Sequence, residues 1–406
     1  MKKIMLMLAL FALVTSGGCG GSSHSFLEQN QSEQNQSEQN QSEQNQPEQN
    51  ISENEKMIQA MSLEEKVGQL FIVRPEHLCT LVSADYIHYH RTSWDYSIND
   101  NMIDTLHKYP AGGFVFFARN IDTKEQVKKF ISDLDAECAI QPFVAVDEEG
   151  GRVRRIGRKF SADVEQIGPM QEIGDTGDPQ NAYNAAYAIG GYLKDFGFTL
   201  DFAPVADVNT NPDNIVIGDR AFGDNPYLVS DMVSAYLDGL HAQEIMGTIK
   251  HFPGHGDTTN DTHTGYVAVY KTWDELLKAE LIPFIENFNK TDMVMIEHIT
   301  LENITSDRLP ASLSHELITE RLRNELGYDG VAITDSMEMG AINNTYPSGE
   351  ASVMAIEAGN DIILCPYNYI ESFNAIVSAV KSGRLTEERI NESVRRILAL
   401  KFKEEE

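Results

Sequence analysis

A short loop of this chain concentrates side chains that can transfer protons. Residues 250–257 read Lys-His-Phe-Pro-Gly-His-Gly-Asp, and Asp-Thr-His follows at 261–263. Loops rich in Gly and Pro contribute little to a core and often carry function. A His beside an Asp is a common proton-transfer group near neutral pH. The sequence therefore places the chemistry of the protein on this loop.

The elements that must position this loop are short apolar, β-branched segments alternating with amphipathic segments, a pattern typical of parallel strands covered by helices. The eight predicted strands are 68–73, 113–117, 143–146, 199–204, 248–251, 293–297, 330–334 and 361–365. The predicted helices include 124–136, 182–196, 228–243, 273–288, 314–326, 370–381 and 386–401. Eight strand-helix units in about 350 residues predict a single-domain (β/α)8 TIM barrel over 54–406.

Charged and imidazole side chains stand at or just after the ends of five of these strands. They are Asp147, Glu148 and Glu149 after the third strand, Asp207 after the fourth, Lys250 and His251 at the fifth, His298 after the sixth and Asp335 after the seventh. In a barrel these positions converge on one mouth, where barrel active sites lie. An open doubly wound sheet is the alternative fold, and it would spread the same residues along an edge.

Composition excludes one class of partner. The formal net charge is -30, from 62 acidic and 32 basic residues. A phosphate backbone would be repelled by this surface, so no nucleic-acid binding is expected. Cys79, Cys138 and Cys365 show no CxxC spacing, which favours buried free thiols over a disulfide framework or a zinc site.

The first 53 residues have the composition of an export signal and a spacer. Lys2 and Lys3 precede an apolar segment and then small residues ending at Cys19, which resembles a bacterial lipobox. We expect 1–19 to be a lipoprotein-type signal peptide with lipid attached at Cys19, or a plain secretory signal. Five Glu-Gln-Asn repeats within 20–53 predict a disordered linker.

Six motifs make the region from about 61 to 401 resemble the glycoside hydrolase family 3 β-N-acetylhexosaminidases of bacterial cell-wall turnover. The motifs are Asp-Glu-Glu-Gly-Gly-Arg-Val at 147–153, Phe-Ala-Pro-Val-Ala-Asp-Val at 202–208, Arg-Ala-Phe-Gly at 220–223, the 250–263 loop, Pro-Ala-Ser-Leu-Ser at 310–314 and Ile-Thr-Asp-Ser-Met-Glu-Met-Gly-Ala at 333–341. The Asp-x-His of the loop separates the hexosaminidases from the β-glucosidases of the same family.

The resemblance implies three catalytic residues. Asp335 would be the nucleophile that forms a covalent glycosyl-enzyme, and a carboxylate at a strand end also fits a retaining mechanism without the resemblance. Capping of the following helix is the structural alternative for Asp335. His263 would be the acid/base and Asp261 would orient it. The structural alternative for His263 is a solvated loop histidine.

The resemblance also implies a sugar-binding group made of Asp147, Arg220, Lys250 and His251, whose charged side chains suit hydroxyl recognition. An ion pair of Asp147 with Arg152 or Arg154 is the structural alternative. His255 and Asp257 are expected either to contact substrate or to brace the loop, whereas Asp207 and Arg152 are expected to be structural. Glu297 departs from the small residue that relatives carry before the counterpart of His298.

The resemblance implies a retaining exo-β-N-acetylglucosaminidase that acts on peptidoglycan fragments or other GlcNAc-containing glycans. The expected form is an exported monomer anchored on the outer face of the cell membrane by its lipid, without a metal or cofactor. A GlcNAc phosphorylase, a β-glycosidase for another sugar and a glycan-binding lipoprotein are the alternatives.

The chain is expected to lack the extra α/β domain of longer members. An insertion at 79–101 carries aromatic residues that would either line the mouth or pack as a plain excursion.

Overall fold

Eight parallel strands form the centre of the computed structural model, which describes residues 52–258 and 261–402. They are β1 (Phe71–Val73), β2 (Gly113–Phe116), β3 (Phe143–Val146), β4 (Leu200–Asp201), β5 (Met246–Phe252), β6 (Met293–Ile296), β7 (Val331–Thr334) and β8 (Ile363–Leu364). Strands from β1 to β7 pair in sequence order, and β1 also pairs with β8. A bridge between Ile333 and Ile362 joins β7 to β8 and completes the circuit. The TIM-barrel prediction is confirmed, and the open sheet is excluded.

The composition of the strands explains why they form a barrel. Nearly all of their residues are buried, as expected when side chains point alternately into the barrel and into the surrounding helices. Phe116 packs edge-on against Phe130 of a covering helix, with ring centroids 5.4 Å apart. The apolar side chains of strands and helices form one continuous core, which fixes the strand ends relative to one another.

Helices cover the outside of the barrel between successive strands. Those of six or more residues are Glu53–Ala60, Leu63–Gln69, Ala84–Tyr89, Asp100–Lys108, Lys124–Ala136, Pro179–Phe196, Pro226–His241, Ile282–Asn287, Glu316–Glu325, Ser348–Ala358, Tyr369–Ser382 and Glu387–Lys401. Within the described ranges, no helix is both long and apolar enough to cross a bilayer. The export signal, Cys19 lipidation and most of the predicted linker fall in 1–51, outside the described residues, and stay predictions.

Several predicted boundaries differ from the structure, among them the start of the first strand and the extent of the helix predicted at 273–288. The first strand does not begin at Gly68, because Ser62 and Glu65 form a capping box that starts the helix Leu63–Gln69. The predicted helix 273–288 is two helices, Trp273–Leu276 and Ile282–Asn287, because Pro283 lacks an N–H and is tolerated only in a first turn. At the start of the barrel domain, the helix Glu53–Ala60 begins one residue before the predicted boundary.

A buried carboxylate holds the amino-terminal end of the closing strand. Asp361 precedes β8 and accepts hydrogen bonds from Arg323 Nη2 at 2.6 Å, Ser393 Oγ at 2.7 Å, the Ala332 N–H at 3.0 Å and Arg396 Nη1 at 3.2 Å. Burial alone would raise the pKa of Asp361, but the arginines outweigh burial and lower it. Asp361 therefore ties β7 and two outer helices to β8 as an ionised group.

We predict that Asp361→Ala lowers the free energy of unfolding by about 3–5 kcal/mol near neutral pH, because it leaves Arg323 buried without its carboxylate. Since the folded pKa is depressed, this contribution is present above the unfolded pKa and is lost as pH falls through the folded pKa. Urea unfolding should therefore show the wild type and the variant converging in acid. The matched control is Asp329→Ala, which removes an 89% exposed partner of Arg396 and should change stability little.

Candidate active site

A cavity of about 420 Å³ opens at the carboxyl ends of the strands. The predicted site residues that line it are Asp147, Arg220, Lys250, His251, His263 and Asp335. The barrel thus brings side chains from distant parts of the chain to one mouth, as their positions after the strands predict. Asp261 lies outside the lining and is joined to the cavity through His263.

Two cations and two carboxylates neutralise one another on one side of the cavity. Lys250 Nζ lies 3.0 Å from Asp147 Oδ1 and 2.5 Å from Glu149 Oε1, and Arg220 holds both oxygens of Glu149 at 2.8 Å. Burial would raise the pKa of Glu149, but Arg220 and Lys250 outweigh it and hold that pKa far below its usual range. The group therefore offers fixed charges to hydroxyl groups.

The remaining partner of Asp147 is Arg155, whose Nη2 lies 3.2 Å from Asp147 Oδ2. The alternative pairing of Asp147 with Arg152 or Arg154 is wrong, because Arg152 Nη2 donates to the carbonyls of residues 215–217 and Arg154 Nη1 donates to the Ile167 carbonyl. Glu148 sets the position of Arg155 by accepting its backbone N–H at 2.6 Å. The same carboxylate accepts the N–H groups of residues 156 and 157 and a hydroxyl, so both of its oxygens are occupied.

A second pairing fixes the orientation of His251. Its Nδ1 donates to Asp207 Oδ2 at 2.6 Å, and Arg220 Nη2 donates to its Nε2 at 3.3 Å. Asp207 also accepts the backbone N–H of His255 at 2.6 Å. Burial lowers the pKa of His255 to about 4, so this ring is neutral near pH 7. His255 lines the cavity with an Nε2 that has no hydrogen-bond partner among the described residues, so it both braces the loop and faces the site.

Asp335 stands at the end of β7 in a polarised environment. The Ser336 N–H donates to Asp335 Oδ1 at 2.6 Å. Burial would raise the pKa of Asp335, but His251 and His298, with a hydrogen bond from Glu297, outweigh it and hold that pKa well below the usual range. Asp335 is therefore a carboxylate that faces the cavity.

Glu297 is the site residue whose proximity to Asp335 was not predicted. It follows β6, is 1% exposed and lines the cavity beside Asp335. Burial and the charge of Asp335 raise the pKa of Glu297 well above its usual value. The neighbouring His298 lies outside the lining, with Nε2 donating to the Ser336 carbonyl at 3.0 Å and Nδ1 bonded to Ser312 Oγ at 2.7 Å. In the sequence, the signal for a special role of this position was that Glu297 stands where family members carry a small residue.

The Asp-x-His loop places an exposed imidazole over this buried site. His263 Nδ1 lies 2.8 Å from Asp261 Oδ1, which also accepts the His263 N–H at 2.9 Å. The His263 side chain is 70% exposed. Two main-chain hydrogen bonds attach this loop to the segment that follows β7. The Gly340 N–H donates to the His263 carbonyl at 3.2 Å, and the Ala341 N–H donates to the Thr262 carbonyl at 3.0 Å.

The insertion at 79–101 contributes to the cavity through a histidine. His88 lines the cavity near Glu338, and Glu338 also pairs with Arg74 Nη1 at 2.9 Å and His77 Nε2 at 3.0 Å. The insertion aromatics lie outside the lining: Tyr86 and Tyr89 are exposed, and Trp94 packs on the core. The aromatic wall considered for this segment is therefore absent from the cavity, although the segment does contact it.

One group of side chains in the described part of the chain has the spacing of metal ligands. His251, Glu297 and Asp335 bring one candidate ligand atom each within 4.8 Å of one another. However, both nitrogens of His251 are engaged, by Asp207 and by Arg220. Two carboxyl groups without a free imidazole make a poor site for a transition metal.

The carboxylates and histidines gathered at the carboxyl ends of the strands occupy the position of the active site in barrel enzymes. Residues 62–400 match the glycosyl hydrolase family 3 N terminal domain. The chain therefore belongs to glycosyl hydrolase family 3, which confirms the family prediction.

Three relatives show how far the similarity extends. A β-hexosaminidase A of Pseudoalteromonas piscicida is 32% identical over 74% of this chain and 54% of its own length. A β-hexosaminidase of Xanthomonas campestris pv. campestris is 32% identical over 67% of this chain and 83% of its own length. The structure of a family 3 β-N-acetylglucosaminidase from Paenibacillus sp. str. FPU-7 superposes with a TM-score of 0.73 at 35% identity, covering 84% of this chain and 62% of that one. The chain thus spans about half the length of the first relative.

The docking of the loop makes Gly340 a sensitive position. A Cβ atom there would lie 2.8 Å from the His263 carbonyl oxygen, so Gly340→Ala should displace the loop from its position against the segment after β7. A shift on the order of 1 Å in a catalytic group can slow a reaction about 100-fold. We expect a loss on the order of 10- to 100-fold in glycoside hydrolysis, with the melting temperature nearly unchanged.

The control is Gly191→Ala in the helix Pro179–Phe196, where an added Cβ meets no atom closer than 3.8 Å. It should keep full activity and gain slight stability from helix propensity. Equal activity in the two variants would show that the docked position of the loop is unimportant.

Proposed function

We propose that the protein is a retaining exo-β-N-acetylglucosaminidase that hydrolyses terminal GlcNAc from peptidoglycan fragments or other GlcNAc-containing glycans. The observation that carries the proposal is an ionised Asp335 in the same cavity as His263, with Asp261 behind the imidazole. The names of the hexosaminidase relatives support the choice of sugar.

In the first step, a carboxylate oxygen of Asp335 attacks the anomeric carbon as the bond to the leaving oxygen breaks. His263 donates its proton to that oxygen, and Asp261 stabilises the imidazolium beforehand. Lys250, Asp147 and Arg220 bind sugar hydroxyls through charged hydrogen bonds. The products of this step are a glycosyl ester on Asp335 and a free alcohol.

In the second step, water attacks the anomeric carbon and His263 takes a proton from it. The ester bond to Asp335 breaks, and the carboxylate leaves with its electron pair, so the configuration of the sugar is retained. The proton taken from water leaves His263 protonated again, as the first step of the next cycle requires.

Three carboxylates near the loop are poorly placed to act as the acid instead of His263. Glu148 has no exposed surface and both oxygens occupied, and Glu149 is ionised between two cations. Asp257 is paired with Lys271 at 3.2 Å. The engagement of these three carboxylates supports His263 as the proton donor.

The nucleophile prediction is that Asp335→Ala lowers turnover by at least about 1,000-fold, because no covalent route remains. A fluorinated GlcNAc analogue that traps the intermediate should label Asp335 in the wild-type protein. Turnover is measured on aryl β-glycosides of GlcNAc, GalNAc, glucose and xylose, which also identifies the sugar. Rapid turnover by the variant, or a label on another peptide, would contradict the assignment. Adding phosphate separates hydrolysis from phosphorolysis through the appearance of GlcNAc-1-phosphate.

The acid/base prediction concerns leaving groups. His263→Ala should slow glycosides of poor leaving groups by about 100- to 10,000-fold and activated aryl glycosides far less, because good leaving groups need little protonation. Asp261→Asn should show the same selectivity more mildly, and the double variant should be no worse than His263→Ala, since both act on one unit. Equal losses for both kinds of substrate would make His263 a binding residue.

A further inference from the structure

The backbone of Glu297 is fixed where β6 leaves the barrel. Its N–H donates to the Phe252 carbonyl at 2.9 Å, and its carbonyl accepts the Ser312 N–H at 3.1 Å. The side chain is 1% exposed and lines the cavity. A carboxyl group at this depth needs a compensating cation, hydrogen-bond donors or a proton.

The contacts of Glu297 lead to both parts of the proposed catalytic machinery. One oxygen of its carboxyl group lies within 4.8 Å of a carboxyl oxygen of Asp335, and the same carboxyl group interacts with the side chain of Thr262. Thr262 is 1% exposed and immediately precedes His263 on the loop. The Oε1 atom of Glu297 has no hydrogen-bond partner among the described residues. Glu297 therefore bridges the nucleophile and the acid/base loop.

Two carboxyl groups that share a hydrogen bond need one proton between them. The groups around the pair determine where it resides. Asp335 faces His251 and His298 and accepts the Ser336 N–H, all of which favour its charged form. Glu297 has fewer donors, chiefly Thr262 and backbone, and it faces the charge of Asp335. The proton therefore resides on Glu297.

We propose that Glu297 is a positioning residue that stays protonated and donates a hydrogen bond to Asp335, holding the nucleophile and helping it leave as a carboxylate in the second step. The proposal rests on the nucleophilic role proposed for Asp335. During formation of the ester, Glu297 keeps its proton and its acceptor loses charge. During hydrolysis of the ester, the charge returns to Asp335 and the hydrogen bond strengthens. The net gain therefore falls on breakdown of the glycosyl-enzyme.

The first experiment locates the proton without any turnover. Infrared difference spectra of the wild-type protein minus Glu297→Gln near pH 7 should show the C=O stretching band of a protonated carboxyl group. Asp201, another buried carboxyl group with a raised pKa, is present in both proteins and cancels. In an Asp335→Asn background the Glu297 band should titrate at lower pH, because the neighbouring charge is gone. Absence of the band in the wild type would overturn the proposal, whatever the fate of the proposed function.

The second experiment separates the two chemical steps with an activated aryl β-glycoside of GlcNAc. Glu297→Ala should slow the second step, giving a burst of aryl alcohol followed by a kcat at least about tenfold below wild type. Glu297→Gln keeps an N–H donor and should restore most of that loss. Thermal melting confirms that both variants are folded. A kcat and burst identical in wild type and Glu297→Ala would overturn the proposal.

The pH profile provides a readout that a packing role would not move. In the second step His263 acts as a base, so it produces no alkaline loss of kcat on the activated substrate. Ionisation of Glu297 at high pH adds a charge beside the departing carboxylate, so the wild type should lose kcat there and Glu297→Gln should not. An alkaline limb that persists in Glu297→Gln would contradict the proposal. Inhibition by Zn²⁺ that depends on Glu297 would also contradict the proposal, because it would show that Glu297 and Asp335 bind a cation instead of sharing a proton.

Discussion

The site depends on the neutralisation of charges that the fold has removed from water. Glu149, Lys250, Arg220 and Asp147 form one balanced group at the mouth, and Asp207 with His251 forms a second. An unpaired member of either group would cost several kcal/mol, so each side chain is held by its partners as well as by its strand. Because the strands are fixed by the shared core, this balance yields fixed hydrogen-bonding directions into the cavity.

The residues that stabilise the closed barrel and the residues that line the cavity lie at opposite ends of the strands. Asp361 and its arginines secure the amino-terminal end of β8, whereas Asp335 and His263 lie at the opposite, carboxyl ends of the strands. The mouth can therefore tolerate close carboxyl groups such as Glu297 and Asp335, since the circuit of strands is closed by other contacts.

Most of the fold and the main site residues could be predicted from sequence, because apolar segments give the strand order and a barrel gathers whatever follows each strand. The start of β1 and the break before Pro283 were missed, since a capping box and a proline override apolar periodicity locally. The partner of Asp147 was missed because Arg155 is positioned by Glu148, a backbone contact with no sequence signature. The proximity of Glu297 to Asp335 depends on the relative register of β6 and β7, which a sequence does not state.

The loop that carries His263 is attached to the barrel through the carbonyl groups of Thr262 and His263. These main-chain hydrogen bonds do not depend on the side chain at position 263, which is 70% exposed while it lines the cavity. The barrel therefore holds the loop in the same way whichever side chain stands at position 263. The choice of residue at 263 can therefore vary without loss of the two main-chain hydrogen bonds that seat the loop.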